Sequence, residues 1–179
     1  GNQQISSLLK DAKVQNTAAA WFGKAEQNAK QQKWPKVAEY LRKAQALQPD
    51  QNLQVKINDL KNLGSQRMLQ LGMLQLGKKQ LYSAYRTLQA GIQFTPGFIK
   101  DGGGADLRRQ LVTEMASKSL ELENAGLVGS AYYWLELSVR LGGADRESQQ
   151  RLQTLKDKLR QRVVKKIAVM DFTPPTNST

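Results

Sequence analysis

The chain has neither cysteine nor histidine among its 179 residues. Without cysteine there can be no disulfide, thiolate nucleophile or thiolate metal ligand, and without histidine no imidazole ligand and no Ser-His-Asp triad. No apolar run approaches the roughly 18 residues that a membrane span requires. Acidic side chains are scarce as well, 15 against 27 basic ones, for a formal charge of +12. Most enzyme chemistry is therefore excluded, and a non-catalytic binding or scaffold protein is expected, with no cofactor and no metal site. Lack of cysteine fits an oxidising compartment as well as the cytosol. Gly1 before Asn2, with no initiator Met, reads as what remains after removal of a tag, so a natural leader or lipid anchor could precede it.

What is present is a recurrent spacing of small and large residues. A first segment carries Trp21, Ala25, Val37, Leu41, Ala44 and Pro49. A second carries Met68, Leu71, Gly72, Ala84, Leu88, Gly91 and Pro96, and a third Met115, Ser119, Ala131, Leu135, Ser138 and Gly143. Small residues permit close helix approach, large ones fill the remaining space, and proline or glycine ends the second helix of each pair. The pattern resembles the tetratricopeptide repeat (TPR), which implies stacked antiparallel helix pairs that bind partners along a concave surface lined by the first helices. The period departs from that family: Ala25, Gly72 and Ser119 lie 47 residues apart, against about 34 in the standard repeat.

The roughly 13 additional residues need a place in each unit. Between the first two, Leu53, Ile57, Leu60 and Leu63 recur at helical spacing, which predicts one long helix over about 51–78. In the second gap, 97–104 reads as a loop with a helix restarting near Ala105. The expected fold is all-α: a TPR-like solenoid of three hairpins over 1–166, with units at about 3–49, 51–96 and 105–143. A capping helix at 145–166 presents Leu152, Leu155, Leu159 and Val163 as its apolar stripe. The seven helices are expected at about 3–30, 34–48, 51–78, 80–95, 105–125, 128–142 and 145–166.

The pattern then changes. Ile167-Ala-Val-Met-Asp-Phe172 ahead of Thr173-Pro-Pro reads as one short terminal strand, so 167–179 is a strand and tail, a strand that pairs between two chains, or the start of a truncated second domain. After Lys165-Lys166, this hexapeptide resembles the opening strand of TolB amino-terminal or CsgG-like domains of bacterial envelope lipoproteins. That resemblance implies a periplasmic or cell-envelope location, with the cytoplasm as the alternative.

Three further features bear on chemistry. Asp101-Gly-Gly-Gly-Ala105 lacks the Lys-Ser/Thr pair and preceding strand of a phosphate loop and reads as an inter-repeat connection. Glu121, Glu123 and Glu136 form the only close carboxylate set in the middle of the chain, and they read as solvated surface. Charge is uneven: the first hundred residues hold fifteen cations against five carboxylates, whereas 101–150 hold five against eight. Nucleic acid is thus not the expected partner, because an acidic third unit breaks any basic stripe. Membrane attachment would need a missing anchor or attraction to the basic final helix. The expected partner is a protein or peptide, with an apolar peptide or helix on the concave face formed by Phe22, Glu26, Gln66, Leu69, Gln70, Met73, Leu76 and Leu120. Phe98, flanked by glycine, is the expected exposed aromatic. Leu69, Met73 and Leu76 share one face of the long helix, which is either an open strip or covered by the extension.

Overall fold

The computed structural model describes residues 17–100, 102–142 and 145–170, with side chains through residue 162. Among these residues the protein is all-helical: α1 (Ala18–Lys30), α2 (Trp34–Ala46), α3 (Gln51–Gly77), α4 (Leu81–Phe94), a 3-10 turn (Pro96–Ile99), α5 (Gly102–Asn124), α6 (Val128–Gly142) and α7 (Arg146–Met170). The expected start of α1 near residue 3 lies outside the described residues. Side-chain oxygens cap three helix starts: Thr17 Oγ1 accepts from the Ala20 amide, Asp50 Oδ1 from Leu53 and Asp145 Oδ1 from Ser148. Each satisfies an amide that the first turn leaves without an intrahelical partner.

The 47-residue period is written into the backbone. Gln32, Lys79 and Gly126 all adopt positive φ, at 56°, 56° and 76°. The amides of these residues donate to Ala29, Leu76 and Glu123, and the following amides, Lys33, Gln80 and Leu127, reach back to Asn28, Gln75 and Leu122. Every donor and every acceptor recurs at the same interval. This pair of 5→2 and 6→1 bonds is the Schellman closure, in which a left-handed residue turns the chain out of a helix while satisfying its last carbonyls. Three hairpins, α1–α2, α3–α4 and α5–α6, therefore share one turn chemistry.

Packing repeats as well. Ala25, Val37, Leu41, Ala44, Met68, Gly72, Ala84, Leu88, Gly91, Met115, Ser119, Ala131, Leu135 and Ser138 are all buried. Trp21 is half-buried and Leu71 is exposed, so the largest residue of the pattern and one of its leucines lie outside the closest contacts.

The repeat pattern expects Ala25, Gly72 and Ser119 at the crossing within their own hairpins and Ala44, Gly91 and Ser138 against the next hairpin, and not all of them meet those helices. Ser119 Oγ donates to the Ala131 carbonyl inside its own hairpin, as expected. A Cβ at Gly72 would instead lie 2.5 Å from Leu107 Cδ2 on α5, and one at Gly91 would lie 2.5 Å from the Phe98 ring. Ser138 Oγ bonds back to Val112 O on α5, not forward to the following helix. Large residues from the next segment have taken the volume that glycine leaves free. Gly72→Leu is expected to cost about 1–3 kcal/mol or more, since Leu107 is fully buried and has no room to yield. A thermal melt matching that of the parent protein would refute this packing.

The chain divides into two compact units, residues 1–107 and 108–179. In the first, Phe22, Ala25, Val37, Leu41, Ile57, Met68 and Phe94 form one core, drawing on all of α1 to α4. The extended first half of α3 belongs to it, because Ile57 is fully buried against α1 and α2. In the second unit, Val128, Ala131, Leu135 and Leu155 form a core flanked by Leu152 and Leu159, which is the stripe expected of the final helix. Val163 lies beyond the described side chains.

Two expectations need correction at the connections. The glycine-rich segment is not a long loop: Pro96 opens a 3-10 turn, and α5 begins at Gly102. A Cβ at Gly104 would fall 1.8 Å from the Phe98 carbonyl oxygen, so this glycine permits backbone to lie against backbone. At the other end, α7 is helical through Met170, where a strand was expected over Ile167–Phe172. A six-residue strand without a partner leaves its backbone groups unpaired, whereas continuing the helix pairs them internally. Asp171 and Phe172 lie outside the described residues.

Candidate partner-binding groove

On α1, Ala19, Phe22, Glu26, Ala29 and Lys30 follow one another at intervals that keep them on one side of the helix. On α3, Leu53, Lys56, Leu60, Leu63 and Arg67 do the same. These two stripes enclose a depression. One part, of about 610 Å³, is lined by Ala19, Phe22, Glu26, Leu53, Lys56, Asp59, Leu60 and Leu63. A second, of about 420 Å³, is lined by Ala29, Lys30, Gln32, Trp34, Leu63 and Arg67. Leu63 borders both, which makes them the two ends of one groove. Eleven residues separate Ala19 from Lys30, so the groove is about 16 Å long at 1.5 Å per residue. Each part falls in the volume range of ligand sites, about 300–1,000 Å³.

A separate cavity of about 380 Å³ lies on the far side of α3, between Gln66, Leu69, Thr95, Phe98, Gly103 and Gly104. Ser65 and Thr95 hydroxyls meet at 3.0 Å on its wall.

The residues expected to form the concave face are thus distributed over several places. Phe22 is a buried wall of the α1–α3 groove, and Glu26 is exposed on it. Gln66, Leu69 and Phe98 come together in the smaller cavity. Phe98 is not an exposed loop aromatic, since its ring is half-buried over Gly91. The Leu69, Met73 and Leu76 strip is broken up: Leu76 is buried, Leu69 is half-buried against Gly103, and Met73 is 40% exposed. Gln70 is exposed and accepts a hydrogen bond from Arg67 Nη1 at 3.2 Å. Leu120, in the second unit, is 51% exposed. The α3 half of the groove, Leu53 to Arg67, was missed as a lining. Its spacing was legible, but nothing in the spacing said which residues would lie opposite it.

Aromatic faces in the first hairpin are already engaged. Trp21 and Tyr40 stack at 5.6 Å, and Lys24 and Lys43 lie 4.1 Å and 4.7 Å from the Trp21 ring centre. Cations over the ring face leave little surface on which a base could stack.

The middle carboxylates each have their own cation. Glu121 pairs with Lys118 and Glu136 with Arg140, both exposed helix-surface pairs. Glu123 is different: only 19% of its side chain is exposed, and it accepts from Lys158 at 2.9 Å and from Arg151 at 3.1 Å, both on α7. Arg151 also donates to Ser119 Oγ. The hydrogen bond from Lys158, helped by that from Arg151, holds the Glu123 carboxyl below its ordinary value against the opposing effect of burial. A depressed folded-state pKa stabilises the protein above the unfolded-state value and loses that contribution as pH falls through the folded one. The stability difference between the parent and Glu123→Gln is therefore expected to be constant near neutrality and to shrink below about pH 4.5. Denaturant titrations at several pH values would measure it, and a gap that widened on acidification would contradict the assignment.

Among the described residues no helix is long and apolar enough to cross a membrane. No group of three or more His, Cys, Asp or Glu side chains there could hold a metal ion. Compared with protein-family models, curated proteins and solved structures, the chain shows no match.

Proposed function

We propose that this protein is a non-catalytic, TPR-like helical solenoid whose α1–α3 groove holds an apolar segment of a protein partner. The observation that supports it is the groove itself. It is open, about three helical turns long, floored by Leu53, Leu60 and Leu63 and rimmed by Glu26, Lys56 and Asp59. An apolar floor with a charged rim suits an amphipathic helix, which buries its apolar face and leaves its polar face wet. Leu63 is 42% exposed, an apolar surface available for a partner to cover. First helices line the groove, as in the repeat family that the sequence resembles. The alternative, a basic surface for nucleic acid or anionic lipid, has less support, because Lys24 and Lys43 already lie against Trp21. The envelope location is not carried further, since the strand on which it rests is not seen among the described residues.

The test uses two charge insertions. Leu63→Glu and Met73→Glu both alter exposed residues, so each is expected to leave the melting temperature nearly unchanged. Against an array of twelve-residue amphipathic peptides, Leu63→Glu should abolish binding and Met73→Glu should not. Loss of binding in Met73→Glu alone would move the partner surface to the other face of α3.

A further inference from the structure

The groove is electrically lopsided, and this says something about its occupant. At the end near the α1–α2 turn, the cavity wall contains two cations, Lys30 and Arg67, the Gln32 amide and no carboxylate. Among the described residues neither Lys30 nor Arg67 makes an ion pair. Among the described residues the one hydrogen bond from Arg67 goes to the neutral Gln70 amide oxygen, which carries no negative charge. A solvated lysine on a helix is ordinary. Here, however, the two charges flank a cavity built from Ala29, Leu63 and Trp34, with the Trp34 ring held edge-on against buried Phe94 at 6.2 Å. At the opposite end the balance reverses, with Glu26 and Asp59 against Lys56.

The α1 macrodipole works against an anion at this place, since Lys30 lies in the last turn of the helix. That effect is small. The dipole amounts to about half a charge, and the Asn28 and Ala29 carbonyls already accept from Lys33 and Gln32. Two full positive charges outweigh it, even though both are exposed and screened by water.

We propose that the Trp34 end of the groove receives a carboxylate of the bound segment. The occupant is then a peptide with an acidic residue at one end of an apolar stretch and a basic or neutral residue at the other. This inference rests on the α1–α3 groove being the partner site. The chemistry follows from the side chains: a guanidinium and an ammonium donate charge-assisted hydrogen bonds to the carboxylate, the Gln32 amide adds a neutral donor, and the apolar stretch covers Leu60 and Leu63. Opposite charges at the two ends fix which way round the segment lies, because the reversed orientation would bring its carboxylate to Glu26 and Asp59.

The experiment compares amphipathic twelve-residue peptides that share one apolar core and carry acidic, neutral or basic residues at either end. They are titrated against the parent protein, Leu63→Glu, and a double variant combining Lys30→Glu with Arg67→Glu. The parent is expected to bind the peptides with an acidic end roughly tenfold more tightly than neutral ones, with the preference reduced at high salt. The double variant should reverse the preference while keeping its helix content by circular dichroism, since both residues are exposed. Equal binding of acidic and neutral peptides that is nevertheless lost in Leu63→Glu would overturn the carboxylate site and leave the groove standing. Binding unaffected by Leu63→Glu, or no binding by any peptide, would overturn both.

Discussion

Truncating Phe94 to alanine is expected to destabilise the protein by about 3–5 kcal/mol. Phe94 is 1% exposed and lies where α2, α3 and α4 meet. Its ring takes the space above Gly64, where a Cβ would sit 2.5 Å from it, and meets Trp34 edge-on with a 72° angle between the ring planes. Removing the ring therefore costs its transfer free energy, the edge-to-face contact and a cavity that the surrounding helices cannot fill. Gly64 has no side chain to contribute, and Ile57 and Met68 are already fully packed. For a chain of this size the melting temperature of the first unit should fall on the order of 10 °C. The Trp34 environment should change with it, so near-ultraviolet circular dichroism would report the loss of the pair. If the variant melts like its parent, the core does not close around Phe94.

Leu155→Asp should have a comparable effect in the second unit. Leu155 is the fully buried residue among the described side chains of α7, seated among Val128, Ala131 and Leu135 of α6. Among the described side chains, the α7 surface around it is strongly polar and Leu152 and Leu159 are only half-buried, so none of them replaces it. An aspartate there would be a charge in an apolar site with no cation provided for it, a situation that costs several kcal/mol or expels the residue. Expulsion means that α7 leaves α6. Hydrogen exchange along α7 should then become fast while α1 to α4 remain protected, and Glu123 should lose its contacts with Arg151 and Lys158. Retained protection along α7 would show that the helix is held by its ion pairs rather than by Leu155.

Much of the fold was legible in the sequence, because it depends on local rules. The 47-residue spacing of small residues, the helix-breaking prolines and the run from Leu53 to Leu63 specified seven helices, and the observed helices match them to within a few residues wherever both can be compared. Each residue in those patterns acts on its own turn or on a neighbour three or four residues away, so order along the chain carries the information. The recurrent left-handed turns at Gln32, Lys79 and Gly126 could have been anticipated from the period but not from residue type, since only one of the three is glycine.

What the tertiary structure alone decided is which apolar stripe is covered. The same spacing describes Ile57, fully buried, and Leu63, 42% exposed; periodicity assigns both to helix and says nothing of what lies opposite. Gly72 illustrates the point from the other side. A glycine in the sequence announces close approach but not the identity of the approaching residue, and only the packed chain shows that Leu107 fills that space while Met73, one residue further along, remains open. The basic cavity at Lys30, Trp34 and Arg67 is the strongest case, since its lining residues lie up to 38 residues apart, from Ala29 to Arg67, on three segments that no local pattern connects. Helix formation follows short-range order in the chain, whereas a site between helices follows from distances that exist only after the helices have packed.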